Sequence, residues 1–243
     1  MRIAEIYASL QGEGLLAGTP STFVRTSGCN LRCRWCDTPF TSWEPTGDDW
    51  PVPRILATVA ALGRRHIVVT GGEPLLFPEV VPLCVALRRE GFHVTIETAG
   101  TVLPSQPGPA SATVVPPADL MSISPKLPSS GPPEAAAADW HRRHEAARRR
   151  DPVLLALMAD AAYQIKFVID SREDLAAAVR GLDDLGHDGG AGIDRSRVFF
   201  MPQGRAADEL ARTTGWLAAE CDRTGIRLAP RHHIAWFGHT RGT

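Results

Sequence analysis

Three cysteines, Cys29, Cys33 and Cys36, lie within eight residues of one another. Thiolates three and four positions apart on a short loop can converge on one soft-metal site. A structural zinc site is tetrahedral and closed, so it would need a fourth ligand. A four-iron cluster held by three thiolates keeps one iron open, and the count of three favours it. A zinc loop with a histidine as fourth ligand and a redox-active thiol group are the alternatives.

The elements that must position this loop follow the pattern of parallel βα units, because short apolar runs alternate with helical periodicity. Strands are predicted at 3–9, 22–26, 66–70, 93–97, 120–124, 163–169, 197–201 and 226–229. Helices are predicted at 53–63, 78–90, 171–182 and 205–224, with Ser171 as an N-cap. The segments SGCN, TGGEP, ETAG, SPK and MPQG each follow a predicted strand. In barrel-like α/β sheets, that edge is where ligands bind.

Two regions depart from this alternation of strand and helix patterns. Residues 103–118 are rich in Pro, Ser, Gly and Ala and are predicted to form an irregular loop. Residues 128–151 continue into an Arg-rich helix and are predicted to be a surface insertion, with His141 and His144 on a solvated helix face. We expect one domain over 1–243, with this insertion at 103–150 interrupted by SPK. The other cysteines, Cys84 and Cys221, lie in apolar helical patterns and are interpreted as buried side chains.

Composition excludes several classes of function. The formal net charge is −1, which gives no basic surface for nucleic acid. No run of about 18 apolar residues would span a membrane, and the first residues do not form a signal peptide. We therefore expect a cytoplasmic protein with no nucleic-acid or membrane partner. Five cysteines with three clustered indicate a metal or redox site and not a disulfide framework.

The cysteine loop resembles the signature of the radical S-adenosylmethionine (SAM) superfamily, C-x3-C-x2-C with an aromatic residue before the last cysteine, here Trp35. The resemblance implies an α/β fold, a partial and modified (βα)6 TIM-like barrel. It also implies that SAM chelates the open iron of a [4Fe-4S] cluster, whose reduction yields methionine and a 5′-deoxyadenosyl radical. The implied SAM contacts are Trp35, Cys36, Asp37, Gly71, Gly72, Glu73, Ser124, Pro125, Lys126, Met201, Pro202, Gln203 and Gly204.

Segments outside the cysteine loop narrow the resemblance to one family within this superfamily. LQGEG, FVR, CDT and a W-x-G-x-x-R-G ending are together similar to the 7-carboxy-7-deazaguanine synthase family. The similarity implies substrate contacts from Leu10, Gln11, Gly12, Glu13, Arg25, Thr70 and Thr243, and a Mg²⁺ ion at Thr38. A guanidinium pairs bidentately with a carboxylate, which suits Arg25 to a carboxylated substrate, and hydroxyl oxygen suits magnesium. The alternatives are a barrel-rim salt bridge for Arg25 and a helix-capping pair for Asp37 and Thr38.

The implied reaction converts 6-carboxy-5,6,7,8-tetrahydropterin to 7-carboxy-7-deazaguanine, with ring contraction after hydrogen is removed from C6 and with loss of ammonia. It is a lyase step of queuosine and 7-deazapurine biosynthesis. The family also implies a homodimer and an electron donor such as flavodoxin or ferredoxin. One rival function is activation of a glycyl-radical protein by the same cluster chemistry. A second rival, from a different class, is a non-catalytic Fe–S or zinc-binding module.

Overall fold

The computed structural model describes residues 1–105, 112–190 and 192–243. The predicted loop at 103–118 therefore lies partly outside the described residues. Over the described ranges the strands are β1 (Arg2–Leu10), β2 (Pro20–Thr26), β3 (Asp48–Asp49), β4 (His66–Gly71), β5 (His93–Thr98), β6 (Leu120–Ile123), β7 (Ala162–Ile169), β8 (Val198–Pro202) and β9 (Arg227–Leu228). Each of the eight strands predicted from the sequence is present, with its ends shifted by up to two residues. The two-residue β3 was not predicted.

The helices are α1 (Pro39–Ser42), α2 (Val52–Leu62), α3 (Val80–Arg89), α4 (Glu134–Ala147), α5 (Asp151–Ala159), α6 (Arg172–Asp188), α7 (Ala207–Thr224) and α8 (His232–Phe237). The four predicted helices correspond to α2, α3, α6 and α7. The N-cap prediction is confirmed, since Ser171 Oγ accepts a hydrogen bond from the Asp174 amide at 3.2 Å. In the described ranges, no helix combines the length and apolarity needed to cross a membrane.

All these strands form one sheet in the order β3-β1-β2-β4-β5-β6-β7-β8-β9. Strand β1 pairs antiparallel with β2 and β3, whereas every pairing from β2 through β9 is parallel. The sheet therefore has two edges, at β3 and β9, and forms an incomplete barrel. The predicted fold class, a partial (βα)6 barrel, is confirmed.

Alternation along the strands separates the core from the concave face. On β7, Ile165 and Phe167 pack in the main apolar core, which lies between the sheet and the helices, while Lys166 between them lines the cavity on the other face. On β5, Val94 and Ile96 lie in the core and Glu97 faces the cavity. Because successive side chains of a strand point to opposite faces, the sheet can be apolar toward its helices and polar inside. Cys84 and Cys221 are buried in this core, as expected.

The interpretation of His141 and His144 as a solvated helix face is wrong. His144, near the end of α4, has no exposed surface, and His141 is half-buried with Nδ1 2.8 Å from the Pro132 carbonyl oxygen. The helix packs its histidine side toward the cysteine loop, which is polar. Hydrophobic periodicity therefore gave no signal that this face is buried.

Candidate functional site

The carboxyl ends of the parallel strands surround a cavity of about 520 Å³, a volume typical of small-molecule sites. Most residues singled out from the sequence line it: Leu10, Gln11, Gly12, Glu13, Arg25, Cys29, Cys33, Trp35, Cys36, Asp37, Thr38, Thr70, Gly71, Gly72, Ser124, Lys126, Met201 and Thr243. Five others lie outside the lining: Glu73, Pro125, Pro202, Gln203 and Gly204. The structure thus brings the segments before, within and after the cysteine loop to one place.

The cysteine loop leaves the end of β2 and turns its three half-buried thiols toward the cavity. Burial, together with the neighbouring Cys33 and Cys36 sulfurs, raises the pKa of Cys29 to about 12. Burial likewise raises the pKa of Cys33 to about 11. For Cys29 and Cys33 the thiolate, which is the metal-binding form, is thus strongly disfavoured without a compensating cation. The site is chemically suited to thiol ligands that ionise when iron binds, and poorly suited to free redox thiols.

The three thiols fit a multi-iron cluster better than a single ion. In the part of the chain that the structure describes, no three His, Cys, Asp or Glu side chains lie close enough together to hold one metal ion. Zinc would need its sulfur ligands at about 2.3 Å from one point. A four-iron cluster binds each thiolate through a different iron and so spans more widely spaced sulfurs. The geometry disfavours the zinc alternative, and Cys29, Cys33 and Cys36 are the residues that would hold the cluster.

Main-chain groups of the loop are held from several directions. Arg32 Nη1 donates to the carbonyl oxygens of Cys29 and Leu31, each at 2.8 Å. Trp43 Nε1 donates to the Cys33 carbonyl at 3.1 Å, and Arg205 Nη2 donates to the Cys36 carbonyl at 2.6 Å. The Leu31 amide also lies 3.4 Å from Cys29 Sγ. These contacts fix the directions of the thiols before any metal arrives, which is the preorganisation a cluster site needs.

The glycine pair after β4 lies against the start of the cysteine loop. The Gly72 amide donates to the Thr26 carbonyl at 3.2 Å, and the Glu73 amide donates to the Gly28 carbonyl at 2.9 Å. A Cβ on Gly72 would overlap the Gly28 and Thr41 carbonyl oxygens, so only glycine allows this approach. Gly71 and Gly72 therefore present bare main chain to the cavity.

Glu73, predicted to contact SAM, does not line the cavity. Its carboxylate is fully buried and accepts hydrogen bonds from Thr98 Oγ1 at 2.8 Å, the Ala99 amide at 2.9 Å and the Leu75 amide at 3.1 Å. Burial raises the pKa of Glu73, while these donors lower it. The carboxylate ties the turn after β4 to the end of β5 and does not face the cavity. A contact between Glu73 and a ligand would have to use its main chain.

The segment after β6 reaches the cavity through two of its three predicted residues. Lys126 Nζ donates to Ser124 Oγ at 2.9 Å, and both side chains line the cavity. The Ser124 amide donates to the Thr98 carbonyl at 2.8 Å, which aligns this turn with the end of β5. An ammonium and a hydroxyl at this place are suited to a carboxylate or a ribose. Pro125 shapes the turn without lining the cavity.

A buried cation lies at the floor of the cavity. Lys166 Nζ is 2.9 Å from Glu13 Oε2 and 3.2 Å from Glu97 Oε1, and Thr70 Oγ1 donates to Glu97 Oε2 at 3.1 Å. Burial by itself would lower the pKa of Lys166, but the two carboxylates outweigh it and raise the pKa above the ordinary value. For Glu13, burial would raise the pKa, and Lys166 and Arg231 reverse this and lower it. Glu13 and Lys166 therefore stay ionised near neutral pH.

Arg231, which precedes α8, extends this network across the cavity. It donates to Asp37 Oδ2 at 2.5 Å and to the Gly204 carbonyl at 2.6 Å, and its Nε lies 3.4 Å from Glu13 Oε1. His233 Nδ1 is 3.8 Å from the same Glu13 oxygen, and burial lowers the pKa of His233. Gly204, predicted to contact SAM, thus accepts a hydrogen bond from Arg231 through its carbonyl oxygen. The network connects the residues on both sides of the cysteine loop.

Arg25 takes part in an ion pair and also lines the cavity. Its Nε donates to Glu5 Oε1 at 2.8 Å, and its Nη2 donates to the Tyr7 hydroxyl at 2.6 Å. Glu5 in turn accepts from Arg241 Nε at 2.8 Å, which draws the segment ending at Thr243 over the cavity. The structure therefore contains the rim salt bridge that was the alternative for Arg25. Its role toward a substrate stays a prediction.

Thr38 occupies the N-cap position of α1, but its side chain makes no capping hydrogen bond. The hydroxyl is instead 3.0 Å from Thr41 Oγ1 and 4.0 Å from Cys36 Sγ, and it lines the cavity. Asp37 pairs with Arg231 and does not cap the helix either. The helix-capping alternative for these two residues is wrong, and the hydroxyl is placed beside the cysteines.

Sequence reasoning missed several residues of the site, chiefly Tyr7, Lys166, Arg231 and His233. Lys166 had a usable signal, because Gln164 and Lys166 share one face of an otherwise apolar strand. A lysine at such a position must be paired when buried. Arg231 and His233 follow an irregular segment, where no periodicity indicates direction, so their place could not be inferred.

Comparison with known proteins covers nearly the whole chain. The model of the Radical SAM superfamily matches residues 23–109. A 7-carboxy-7-deazaguanine synthase of Rhodopirellula baltica is 42% identical over 247 residues, which cover 99% of this chain and 88% of that relative. The synthase of Halobacterium salinarum is 40% identical, covering 96% and 89%. The crystal structure of QueE from Escherichia coli is similar with a TM-score of 0.66 and 25% identity, covering 96% and 94%.

Proposed function

Because this chain belongs to the 7-carboxy-7-deazaguanine synthase family of the radical SAM superfamily, we propose that it converts 6-carboxy-5,6,7,8-tetrahydropterin to 7-carboxy-7-deazaguanine and ammonia. It is a carbon–nitrogen lyase of queuosine and 7-deazapurine biosynthesis. The observation that carries the proposal is the single cavity into which the three cysteines, the glycine pair and the Arg25 and Lys166 ion pairs all project. When bound, the [4Fe-4S] cluster and SAM supply the 5′-deoxyadenosyl radical that takes hydrogen from C6 of the pterin.

The residues of this chain orient the substrate and exclude water. Arg25 presents a guanidinium held by Glu5 and Tyr7, which is suited to the substrate carboxylate. Gln11 is nearly buried, and its Nε2 donates to Ser21 Oγ at 2.9 Å, so its amide oxygen has a set direction toward pterin donors. Fixed polar groups in an enclosed site hold a reactive radical against one C–H bond and limit its side reactions.

The proposed cofactors also include a Mg²⁺ ion at Thr38. The Thr38 hydroxyl lies at the cavity wall beside Cys36 and Thr41. An oxygen ligand supplied by one side chain, with the remaining positions taken by the substrate carboxylate and water, suits Mg²⁺. Thr38 would hold the ion at this wall of the cavity, and the ion would supply positive charge to the substrate carboxylate.

Further expectations rest on the family alone. We propose a homodimer, a flavodoxin or ferredoxin as electron donor, and a cytoplasmic location. The assignment of residues 1–243 to one domain is supported by the single sheet.

Activation of a glycyl-radical protein, the rival function, would need access for a polypeptide backbone and makes no use of Arg25 and Thr38 together.

Anaerobic turnover tests the proposal. The reconstituted protein, given SAM, Mg²⁺, a low-potential reductant and the carboxytetrahydropterin, is expected to form a product lighter by one molecule of ammonia. Cys36→Ala should abolish product, whereas Cys221→Ala, which changes a core thiol away from the cavity, should retain it. If the wild-type protein cleaves SAM and leaves the pterin unchanged, the substrate assignment fails.

A further inference from the structure

Helix α4 brings one buried imidazole against the cysteine loop. His144 lies near the end of this helix and has no exposed surface. Its Nδ1 is 3.2 Å from the amide nitrogen of Arg32, between Cys29 and Cys33. Its Nε2 is 2.9 Å from Ser130 Oγ, and that hydroxyl is 2.6 Å from the Leu127 carbonyl oxygen.

Only one assignment of the hydrogen atoms satisfies all of these hydrogen bonds. A backbone amide donates, so Nδ1 of His144 must be the unprotonated acceptor for Arg32. Nε2 then carries the proton and donates to Ser130 Oγ, whose own hydrogen points to the Leu127 carbonyl. Burial lowers the pKa of His144 to about 4, so the ring is neutral near pH 7, as this order requires. A continuous chain of hydrogen bonds therefore runs from the Arg32 amide through His144 and Ser130 to the Leu127 carbonyl, in the turn that follows Lys126.

Two more contacts join the same segment to the loop. The Arg34 amide donates to the Ser130 carbonyl at 2.9 Å, and the Arg32 guanidinium lies 3.9 Å from the centre of the Trp140 ring, also on α4. Residues 127–144 therefore bind the main chain at two positions between the cysteines. The Ser130 contact holds the Cys33–Arg34 peptide, and the His144 contact holds the Leu31–Arg32 peptide, one residue before Cys33.

We propose that His144 is a positioning residue for the cysteine loop, holding the Arg32 peptide so that the Cys29 and Cys33 thiols meet the cluster in a set geometry. The inference rests on the proposed function, because it takes the cluster as the loop's ligand. It gives the segment predicted as a surface insertion a definite role as a support of the site. Outer groups that orient metal ligands typically change metal affinity by about 10- to 100-fold when removed.

Three variants test this. His144→Leu removes both ring contacts, His144→Asn keeps an acceptor near the position of Nδ1, and His141→Leu is the matched control one turn earlier on α4. In the metal-free protein, we expect His144→Leu to speed hydrogen exchange of the Arg32 amide at least tenfold, while core amides such as Val68 are unchanged. After reconstitution, the cluster of His144→Leu should be lost to a chelator at least tenfold faster. His144→Asn should restore most of both properties.

Wild-type exchange at Arg32 together with a wild-type cluster lifetime in His144→Leu would overturn the inference. So would equal effects of His144→Leu and His141→Leu, which would indicate a general loosening of α4. If His144→Leu does not fold, Ser130→Ala takes its place, with the same direction of change expected and unchanged exchange overturning the proposal. A wild-type protein that binds no cluster would refute the proposed function, while the exchange measurement would still decide on His144.

Discussion

At the scale of single residues, the charge balance of the cavity depends on Lys166. Its ammonium is nearly buried between Glu13 and Glu97, with 5% of the side chain exposed. Removing one partner from a buried ion pair typically costs about 3–5 kcal/mol, because an uncompensated charge remains. We therefore expect Lys166→Met to lower the free energy of unfolding by about that amount at pH 7, as measured by urea denaturation.

The double variant Glu13→Gln with Lys166→Met is the control for this effect. It removes one of the two carboxylates that lose their lysine partner, so it should be more stable than Lys166→Met alone. A loss of less than about 1 kcal/mol in Lys166→Met would contradict the role assigned to the pair, since it would match the exposed pairs typical of a protein surface.

The depressed pKa of Glu13 makes a prediction about acid stability. Lys166 and Arg231 hold this pKa below the ordinary value of about 4.3, so the unfolded chain takes up a proton before the folded protein does. The stabilisation from Glu13 is fully present above that ordinary value and is lost as pH falls through the depressed pKa. We expect Glu13→Gln to flatten the decline in unfolding free energy below about pH 5. Glu134→Gln, on the exposed start of α4, should leave the decline unchanged.

Thr38 gives a prediction for the metal. Thr38→Ala should raise the Mg²⁺ concentration for half-maximal turnover about tenfold, because the proposed ion would lose one oxygen ligand, with the iron content unchanged. Thr46→Ala is the control, since Thr46 is exposed and its hydroxyl contacts only the Phe40 carbonyl over the described residues. An unchanged Mg²⁺ dependence in Thr38→Ala would remove the proposed ion from this residue.

Residues at strand ends were predictable from sequence, and those that approach from elsewhere in the chain were not. The cysteines and the glycine pair could be assigned because each carries a spacing with a chemical meaning. The partners of Arg25 and Glu13 could not, because Glu5, Tyr7 and Arg231 reach them through pairings that are distant along the chain. Burial of His144 depends on a polar loop, for which apolar patterning carries no information.

At the scale of elements, the turn between β4 and α3 is the most constrained. A methyl group on Gly72 would overlap the carbonyl oxygens of Gly28 and Thr41. Overpacking of this kind costs about 2 kcal/mol, so we expect Gly72→Ala to lower Tm by about 4–8 °C and to weaken SAM binding. Gly215→Ala, on α7 where there is room for the methyl group, should instead stabilise by about 0.5–1 kcal/mol. Equal Tm values for the two variants would contradict this account of the turn.

Helices α2, α3, α6 and α7 were predicted, whereas α1, α8 and β3 were not, for a physical reason. Helices α2, α3, α6 and α7 bury one apolar face on the sheet and so show helical periodicity. The four-residue α1, the six-residue α8 and the two-residue β3 are too short to repeat any period. They form because tertiary contacts hold them, and α1 and α8 carry or adjoin Thr38, Arg231 and His233, which explains why part of the site escaped sequence reasoning.

At the scale of the whole molecule, the order of the parallel strands explains how distant segments form one site. From β2 to β9 every strand runs the same way, so the loops after successive strands meet at one edge. The antiparallel β1 continues the wall on the other side and brings Gln11 and Glu13 to the same cavity. The alternation of strand and helix patterns predicted the parallel part of the sheet. The antiparallel pairing of β1 was not predicted, because the sequence does not display the long-range register between strands.

The most direct test of the central claim follows the hydrogen at C6 of the substrate. With 6-carboxy-5,6,7,8-tetrahydropterin deuterated at C6, anaerobic turnover should yield 7-carboxy-7-deazaguanine, and mass spectrometry should find deuterium in the 5′-deoxyadenosyl part of SAM. That result would show that the cavity directs radical chemistry to this carbon. Product without deuterium transfer, or SAM cleavage without product, would contradict the claim.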